Sequence, residues 1–582
     1  MTPGLALAPP DVHVRREGDA IYLASPLPFS PSDRTLGDLF RRSAARAPTR
    51  DFLVERRADG LRRVTWAAAM ERAEAIAGWL HGRGDSAVCA LTANSVDHAL
   101  VMLGCFLAGV PFVPVSAAYS QVSEDFEKLR VVLRKVRPSV VFAETEGARG
   151  LDVALELSRA TAIYPSSHFG TTSRPLPTVA PEAVAKILFT SGSTGFPKGV
   201  PNTHRMLVAN QEMIAALWPF LGEGEPPTLV DWLPWSHTFG GNHNFNMVLA
   251  HGGTLFVDDG RPPTIERSLR DLREMPPTLY FNVPAGYAAL VPRLEADAEL
   301  ARAFFSRLRV AFYAAAALPA DLWTRFVALA ERHAPAPVFM TTAWGSTETS
   351  PLATSAHFPL ASSGNIGLPA PGVTLKLVPN GDKTEVRVRG PSVMSGYLEE
   401  PALSADAFDD EGFYKMGDAV RFADPSNPKL GLVFDGRVAE DFKLASGTWV
   451  SVSHVRTGLV GLAGGVLADV VVCGQDRDEL AILAWPSVAG GRALAGDRPL
   501  GELARSAEVR ERVVAILRDW NAHHPSTSTR IARALLLETP PSIDAGEITD
   551  KGYTNQRATL TRRADDVARL YAPERDPAVL EA

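Results

Sequence analysis

The chain has 582 residues, is 46% hydrophobic and 21% charged, and carries a formal net charge of −7. That length exceeds one ordinary core and predicts roughly two to four structural units. The acidic balance excludes a dedicated nucleic-acid binder and leaves room for a local basic pocket around an anion.

The N-terminus has no basic start leading into a sustained apolar stretch, so no signal peptide is expected. Residues before about Arg34 are rich in Pro and Ser and are expected to wrap the surface. From Thr35 the pattern becomes α/β. Leu36, Leu39, Phe40 and Ala44 have helical spacing, as do Ala68, Ala73, Ala75, Ile76 and Leu80. Ala87–Leu91, Val140–Phe142 and Ala185–Phe189 read as buried strands. The uncharged run from Ala99 to Val115 is broken by Gly104, Gly109 and Pro111 and falls short of the ~20 residues a membrane helix needs. It predicts a helix turning into a strand. Strands alternating with helices predict largely parallel sheets.

A turn-rich stretch, Asp424-Pro-Ser-Asn-Pro-Lys429, precedes a short strand at Gly431–Asp435. Beyond it the pattern is α+β, with a strand at Asp469–Cys473 and a helix over about Ser506–His523. The expected organisation is a large multi-sheet α/β domain over residues 1–436. A small mobile α+β domain over 437–582 follows, with the ligand cleft between them. The three cysteines, Cys89, Cys105 and Cys473, form no CxxC or Cys/His cluster. Neither a disulfide framework nor a structural zinc site is expected, and a reducing cytoplasm fits best.

The chemistry concentrates after the strand at Ala185–Phe189. Thr190-Ser-Gly-Ser-Thr-Gly-Phe-Pro-Lys-Gly199 packs four hydroxyls, three glycines and one lysine into ten positions. Glycines let backbone amides approach a phosphate, hydroxyls donate to its oxygens, and lysine supplies charge. The run fails the Walker spacing, because Phe196 and Pro197 stand before Lys198 and no Ser or Thr follows it. P-loop kinases and NTPases are disfavoured.

Phe189-Thr-Ser-Gly-Ser-Thr-Gly-Phe-Pro-Lys-Gly-Val200 resembles the signature of the acyl-adenylate-forming superfamily, which includes acyl-CoA synthetases, peptide-synthetase adenylation domains and luciferases. Other motifs of that family follow in order. The resemblance implies an ATP site built from Thr190, Ser191, Gly192, Ser193, Thr194, Gly195 and Lys198. In Trp344-Gly345-Ser346-Thr347-Glu348, Trp344 is expected against adenine, Thr347 at phosphate and Glu348 at Mg²⁺. A hard cation suits a carboxylate plus phosphates, although alone Glu348 reads as a solvated loop acid. Ala315 and Ala316 lie in Ala314-Ala-Ala-Ala317, where the family's backbone meets adenine; alone, such a run reads as core or helix. Asp418, in Tyr414-Lys-Met-Gly-Asp418, is expected to grip the ribose, with Arg437, after Phe434-Asp-Gly, as the second ribose contact. Met416 replaces the usual threonine.

His237, in Leu233-Pro-Trp-Ser-His237, resembles the histidine that flanks the acid pocket in relatives. Trp235, Phe239, Asn242, His243 and Asn244 suggest a pocket wall with some polar character. Catalytic roles are implied for Thr194, Lys198, His237, Lys443 in thiolation, and a late lysine. The small domain departs from the common pattern. Ala439 stands at the usual Asp or Lys hinge, and Lys443 to Gly447 is one residue longer than usual. The simple register of the late Gly-Lys-Ile motif puts Glu547 at the lysine position, leaving Lys551 to take the role.

These departures resemble feruloyl-CoA synthases of bacterial aromatic catabolism. So do Pro114-Val-Ser-Ala-Ala-Tyr-Ser120, Gly364-Asn-Ile-Gly-Leu-Pro-Ala-Pro-Gly372 and Gly546-Glu-Ile-Thr-Asp-Lys-Gly-Tyr-Thr-Asn-Gln-Arg557, with similarity over about residues 27–571. The resemblance implies ferulate or a related hydroxycinnamate, ATP, Mg²⁺ and coenzyme A, and a monomer or homodimer. No carrier-protein segment is read downstream, which favours a free CoA ligase over a peptide-synthetase module. The rival readings are a ligase for a benzoate or a fatty acid, a luciferase-like oxygenase, and a catalytically weak ATP- or acyl-AMP-binding protein.

Overall fold

A computed structural model describes residues 4–84, 86–165, 167–169, 175–191, 196–548, 554–574 and 576–582. The helical spacing after Thr35 becomes a helix at Leu36–Arg46. Thr35 and Asp38 cap it reciprocally, satisfying two otherwise orphaned amides. The second helical pattern is Trp66–Arg83, closed by left-handed Gly84. The apolar run divides as expected into a helix, Val96–Ala108, and a strand, Phe112–Pro114. Gly104 lets that helix press against Trp66–Arg83: a Cβ there would stand 2.5 Å from Ile76 Cγ2. Gly109, at φ +69°, then stops the helix. Among the described residues no helix is long and apolar enough to cross a membrane.

Six strands form one sheet in the order Pro197–Thr203, Val184–Ser191, Phe112–Pro114, Val88–Ala90, Val140–Phe142, Thr161–Ile163. All its pairs are parallel except the first. An 11-stranded sheet begins with the parallel strands Leu279–Asn282, Val310–Tyr313 and Phe339–Gly345. From Phe339–Gly345 onward every ladder in it is antiparallel, which corrects the expectation of largely parallel sheets. The reason is local. Connections such as Asn380–Lys383 are tight turns with no room for a crossover helix.

The proline-rich N-terminus does more than wrap the surface. His13–Glu17 and Ala20–Ala24 form a hairpin that extends the antiparallel end of this sheet through Thr374–Asn380. A third sheet joins Thr228–Asp231, Thr254–Val257, Asp51–Arg57 and Gly60–Thr65.

The C-terminal residues build a separate four-stranded sheet from Leu467–Cys473, Leu480–Pro486, Ile531–Leu536 and Val579–Glu581. Helices Val452–Leu462 and Ala507–His523 accompany it. Two apolar clusters are drawn wholly from residues 442–582. This mixed α/β architecture matches the expected fold class.

Candidate functional site

The glycine-rich run is flanked by two paired antiparallel strands, Val184–Ser191 and Pro197–Thr203. Thr190 pairs with Lys198 and Ser191 with Pro197 across the antiparallel strands. The next helix in the chain begins at His204, after the second of these strands. Gly192, Ser193, Thr194 and Gly195 lie outside the described residues, as does Lys551.

The hairpin is braced by a segment that sequence reasoning missed. Leu398 N donates to Gly199 O at 2.9 Å, and Met394 N donates to Glu348 O at 2.8 Å. Between them, Tyr397 Oη donates to Glu348 Oε1 at 3.0 Å and lies 3.2 Å from Tyr414 Oη. Lys198 Nζ stands over the Tyr397 ring, 5.4 Å from its centroid. Burial and the Glu348 charge push the Tyr397 hydroxyl well above its usual range, so it stays a donor. Tyr397 thus joins the hairpin lysine to the buried acid. A single tyrosine in Ser395-Gly-Tyr-Leu398 carries no spacing that would single it out.

Glu348 sits in a short turn, Thr347–Thr349. Gly345, at φ +158°, leads into it, and a Cβ there would stand 1.7 Å from Pro351 O, so only glycine fits. Ser346 Oγ donates to Met416 Sδ at 3.8 Å, so the methionine in the threonine position still accepts a hydrogen bond. Asn202 Nδ2 reaches Thr347 O at 3.5 Å, and Asn242 Nδ2 donates to Asn202 Oδ1 at 3.0 Å. A buried amide chain therefore runs from the acidic turn through the hairpin to the segment after His237. Asn242 belongs to the polar stretch expected after His237, whereas Asn202 carries no motif and becomes visible only once the strands are paired.

Trp344 Nε1 donates to Asp418 Oδ2 at 2.9 Å. Asp418 and Arg437 are cross-strand partners, with Arg437 Nε 3.3 Å from Asp418 Oδ1. Burial raises the Asp418 pKa, opposed by Arg437 and by the Trp344 bond. The Asp418 charge in turn raises the pKa of Arg437, whose side chain is 57% exposed. Phe434 lies opposite Val420 on the same two strands. Ala314–Ala317 is neither core nor helix. It is an irregular stretch after Val310–Tyr313, in which Ala315, Ala316 and Ala317 are exposed and Ala315 takes φ +74°.

His237 is buried, and its carbonyl accepts from Gly241 N at 2.8 Å. Phe239–Asn244 is a π-helical segment, a form that recurs at functional sites. It needs its glycines: a Cβ on Gly240 or Gly241 would stand 2.4 Å from Leu233 O or Trp235 O. Lys186, fully buried on the strand that enters the hairpin, donates to Gly241 O at 2.7 Å. Burial lowers its pKa to about 7.

Lys443 stands apart from this cluster, on a hairpin of Phe442–Lys443 and Trp449–Val450 with its Nζ 4.9 Å from the Trp449 ring centroid. Ala439 lies in a turn between Arg437 and Asp441, and Lys383 pairs with Asp441. Glu547 is fully buried, held by Arg563 Nε at 2.6 Å and accepting from Ser542 N at 2.9 Å. The position that the simple register assigns to a lysine is a structural ion pair.

The AMP-binding enzyme family matches residues 40–398. The chain belongs to that family. It is 24% identical to the probable CoA ligase CCL8 of Humulus lupulus over 64% of this chain and 61% of that protein. It is 29% identical to the benzoate–CoA ligase of Thauera aromatica over 53% of this chain and 58% of that protein. The match therefore spans less than two thirds of these relatives' length. Among solved structures, it resembles the anthranilate CoA ligase AuaEII in complex with anthranoyl-AMP, with TM-score 0.71 and 20% identity over 92% of this chain and 98% of that one. The adenylation domain of a carboxylate reductase from Mycobacterium chelonae is similar, with TM-score 0.72 and 21% identity over 92% of this chain and 91% of that one. The fold is that of an adenylation domain.

Proposed function

We propose that this chain joins a carboxylic acid to coenzyme A through an acyl-adenylate, and that the acid is ferulate or a related hydroxycinnamate. The observation that carries the reading is a pair of neighbouring groups, Lys198 with Tyr397 and Glu348, and Trp344 with Asp418 and Arg437, the Glu348 charge acting on both Asp418 and Arg437. A lysine, a buried acid and a carboxylate–arginine pair suit the triphosphate, a divalent cation and the ribose of ATP respectively.

In the first step a carboxylate oxygen of the acid attacks the α-phosphorus. The new acyl–phosphate bond forms as the bond to pyrophosphate breaks. No protein nucleophile takes part, and positioning with charge neutralisation by Lys198 and the Thr190–Gly195 hydroxyls and amides carries the step. Mg²⁺, when bound at Glu348, neutralises phosphate charge. The buried Glu348, its backbone fixed by Met394, is a fitting hard-cation ligand. In the second step the coenzyme A thiolate attacks the acyl carbon and AMP leaves.

On this reading His237 flanks the acid, Lys551 meets it at the α-phosphate, and Lys443 enters for thiolation after a rotation between units 1–436 and 437–582. A cytoplasmic setting suits these substrates. The ferulate choice rests on the sequence resemblance, and a benzoate or fatty acid is the second reading, since relatives of both kinds occur.

A pyrophosphate-release screen over cinnamates, benzoates and fatty acids, with and without coenzyme A, tests the proposal. Release with hydroxycinnamates, and thioester only when coenzyme A is added, is expected. Activity confined to fatty acids overturns the ferulate reading, and no release from any acid overturns adenylation.

A further inference from the structure

The π-helical segment holds a histidine that the proposed chemistry does not use. His243 is buried among aromatic rings: Phe312 is stacked at 5.2 Å between centroids, Phe281 is edge-on at 5.1 Å and Phe239 at 5.7 Å. Phe281 and Phe312 lie near the ends of adjacent parallel strands, the second of which runs directly into the exposed alanine stretch. His237 lies in the bend just before this segment, two residues ahead of Phe239. The aromatic group therefore borders the proposed acid site.

The polarity of the His243 ring is set by a chain of hydrogen bonds. Asp231, buried at the end of its strand, accepts from Leu233 N at 3.0 Å and from Asn244 Nδ2 at 2.9 Å. With its amide nitrogen committed to that carboxyl group, Asn244 turns its oxygen to His243 Nδ1, 2.9 Å away. Nδ1 must then carry the proton, which leaves Nε2 as a bare acceptor. Nε2 is buried and has no hydrogen-bond partner among the described residues. Three residues on, the fully buried Asn246 also has both side-chain polar atoms unmatched among them. Buried polar atoms are rarely left so, and an acceptor whose tautomer is fixed by its neighbours, on a ring walled by aromatic side chains, points to a donor on a ligand.

We propose that His243 is a specificity-determining residue whose Nε2 accepts a hydrogen bond from a ring hydroxyl of the substrate, so that the preferred acids are hydroxyaryl acids. The inference rests on the adenylation reading and narrows it. Burial keeps the imidazole neutral at pH 7, its pKa lowered to about 4, which preserves the acceptor. The aromatic walls supply stacking for the ring, and the acceptor tells a phenol from an unsubstituted ring. A site built to pair a hydroxyl rejects the analogue lacking it more strongly than an apolar pocket resolves a methylene.

The test compares kcat/KM for 4-hydroxycinnamate and cinnamate, by pyrophosphate release, in the wild type, His243→Leu, His243→Gln and Asn244→Ala. The wild-type ratio is expected to favour the hydroxylated acid by about tenfold or more. It should fall toward unity in His243→Leu and by an intermediate factor in Asn244→Ala, where the tautomer is no longer fixed. His243→Gln, which keeps an acceptor, should retain part of the preference. A wild-type ratio near one, or a ratio unchanged across the variants, makes His243 a structural histidine and overturns the inference. Should His243→Leu lose all activity, the ratios in the other two variants decide. Release from no acid of any class is a different result and refutes the adenylation reading, whereas release from fatty acids alone overturns this inference together with the ferulate reading.

Discussion

At the scale of single residues, the positions legible in the sequence are those whose chemistry is packed into short stretches. Lys198, Trp344, Glu348, Asp418 and Arg437 each stand in a motif, and the structure gathers them into two neighbouring groups that feel each other's charge. Tyr397 was not legible, because its role depends on the approach of residues 394–398 to both the hairpin and the acidic turn. Glu547 shows the opposite error: a register taken from a pattern places a lysine where the fold needs a carboxylate to hold Arg563. The Tyr397 contact is directly testable. Tyr397→Phe keeps the ring beneath Lys198 and removes only the donor to Glu348. A hydrogen bond to a charged group contributes about 1.5–3 kcal/mol, so the KM for ATP should rise about tenfold in steady-state assays with Mg²⁺ varied. An unchanged KM would show that Glu348 needs no such support.

At the scale of elements, the Leu36–Arg46 and Trp66–Arg83 helices and the short central strands followed from periodicity and caps alone. The antiparallel half of the large sheet did not, because hairpins and crossovers share strand patterns and differ only in the connection. The strand Val184–Ser191 was found for its loop, while its most unusual residue went unnoticed. Lys186 is buried with its ammonium facing a carbonyl of the π-helical segment and the rings of Phe106 and Phe245. Its folded-state pKa of about 7 lies below the usual lysine value of 10.5. Between those values the unfolded chain binds the extra proton, so this residue's contribution to stability rises with pH there, by up to about 1.4 kcal/mol per pH unit. Below about pH 7 its full cost remains. Lys186→Met should abolish that slope in urea-unfolding midpoints taken from pH 7 to 9. Parallel profiles for variant and wild type would mean that the ammonium is better compensated than its surroundings suggest.

At the scale of the whole molecule, polar contacts among the described residues join the C-terminal residues 442–582 to the rest of the chain at one seam. Asp544 accepts from Ser123 Oγ at 2.7 Å and from Glu124 N at 3.2 Å, and Lys128 donates to Ile543 O. Lys383 pairs with Asp441 near the proposed hinge. Losing hydrogen bonds to a charged group at this seam costs about 1.5 kcal/mol or more. Asp544→Ala should therefore speed tryptic cleavage near residues 437–443 about tenfold. An unaltered cleavage rate would show that other contacts hold the seam.

The brace at Tyr397 also constrains how such a chain can recombine. Gly199 and Leu398, and Glu348 with Met394 and Tyr397, are bonded partners far apart in sequence. A crossover between residues 200 and 394 would take the hairpin from one parent and its support from another. Functional hybrids with relatives should therefore keep residues 190–199 and 394–398 from the same parent.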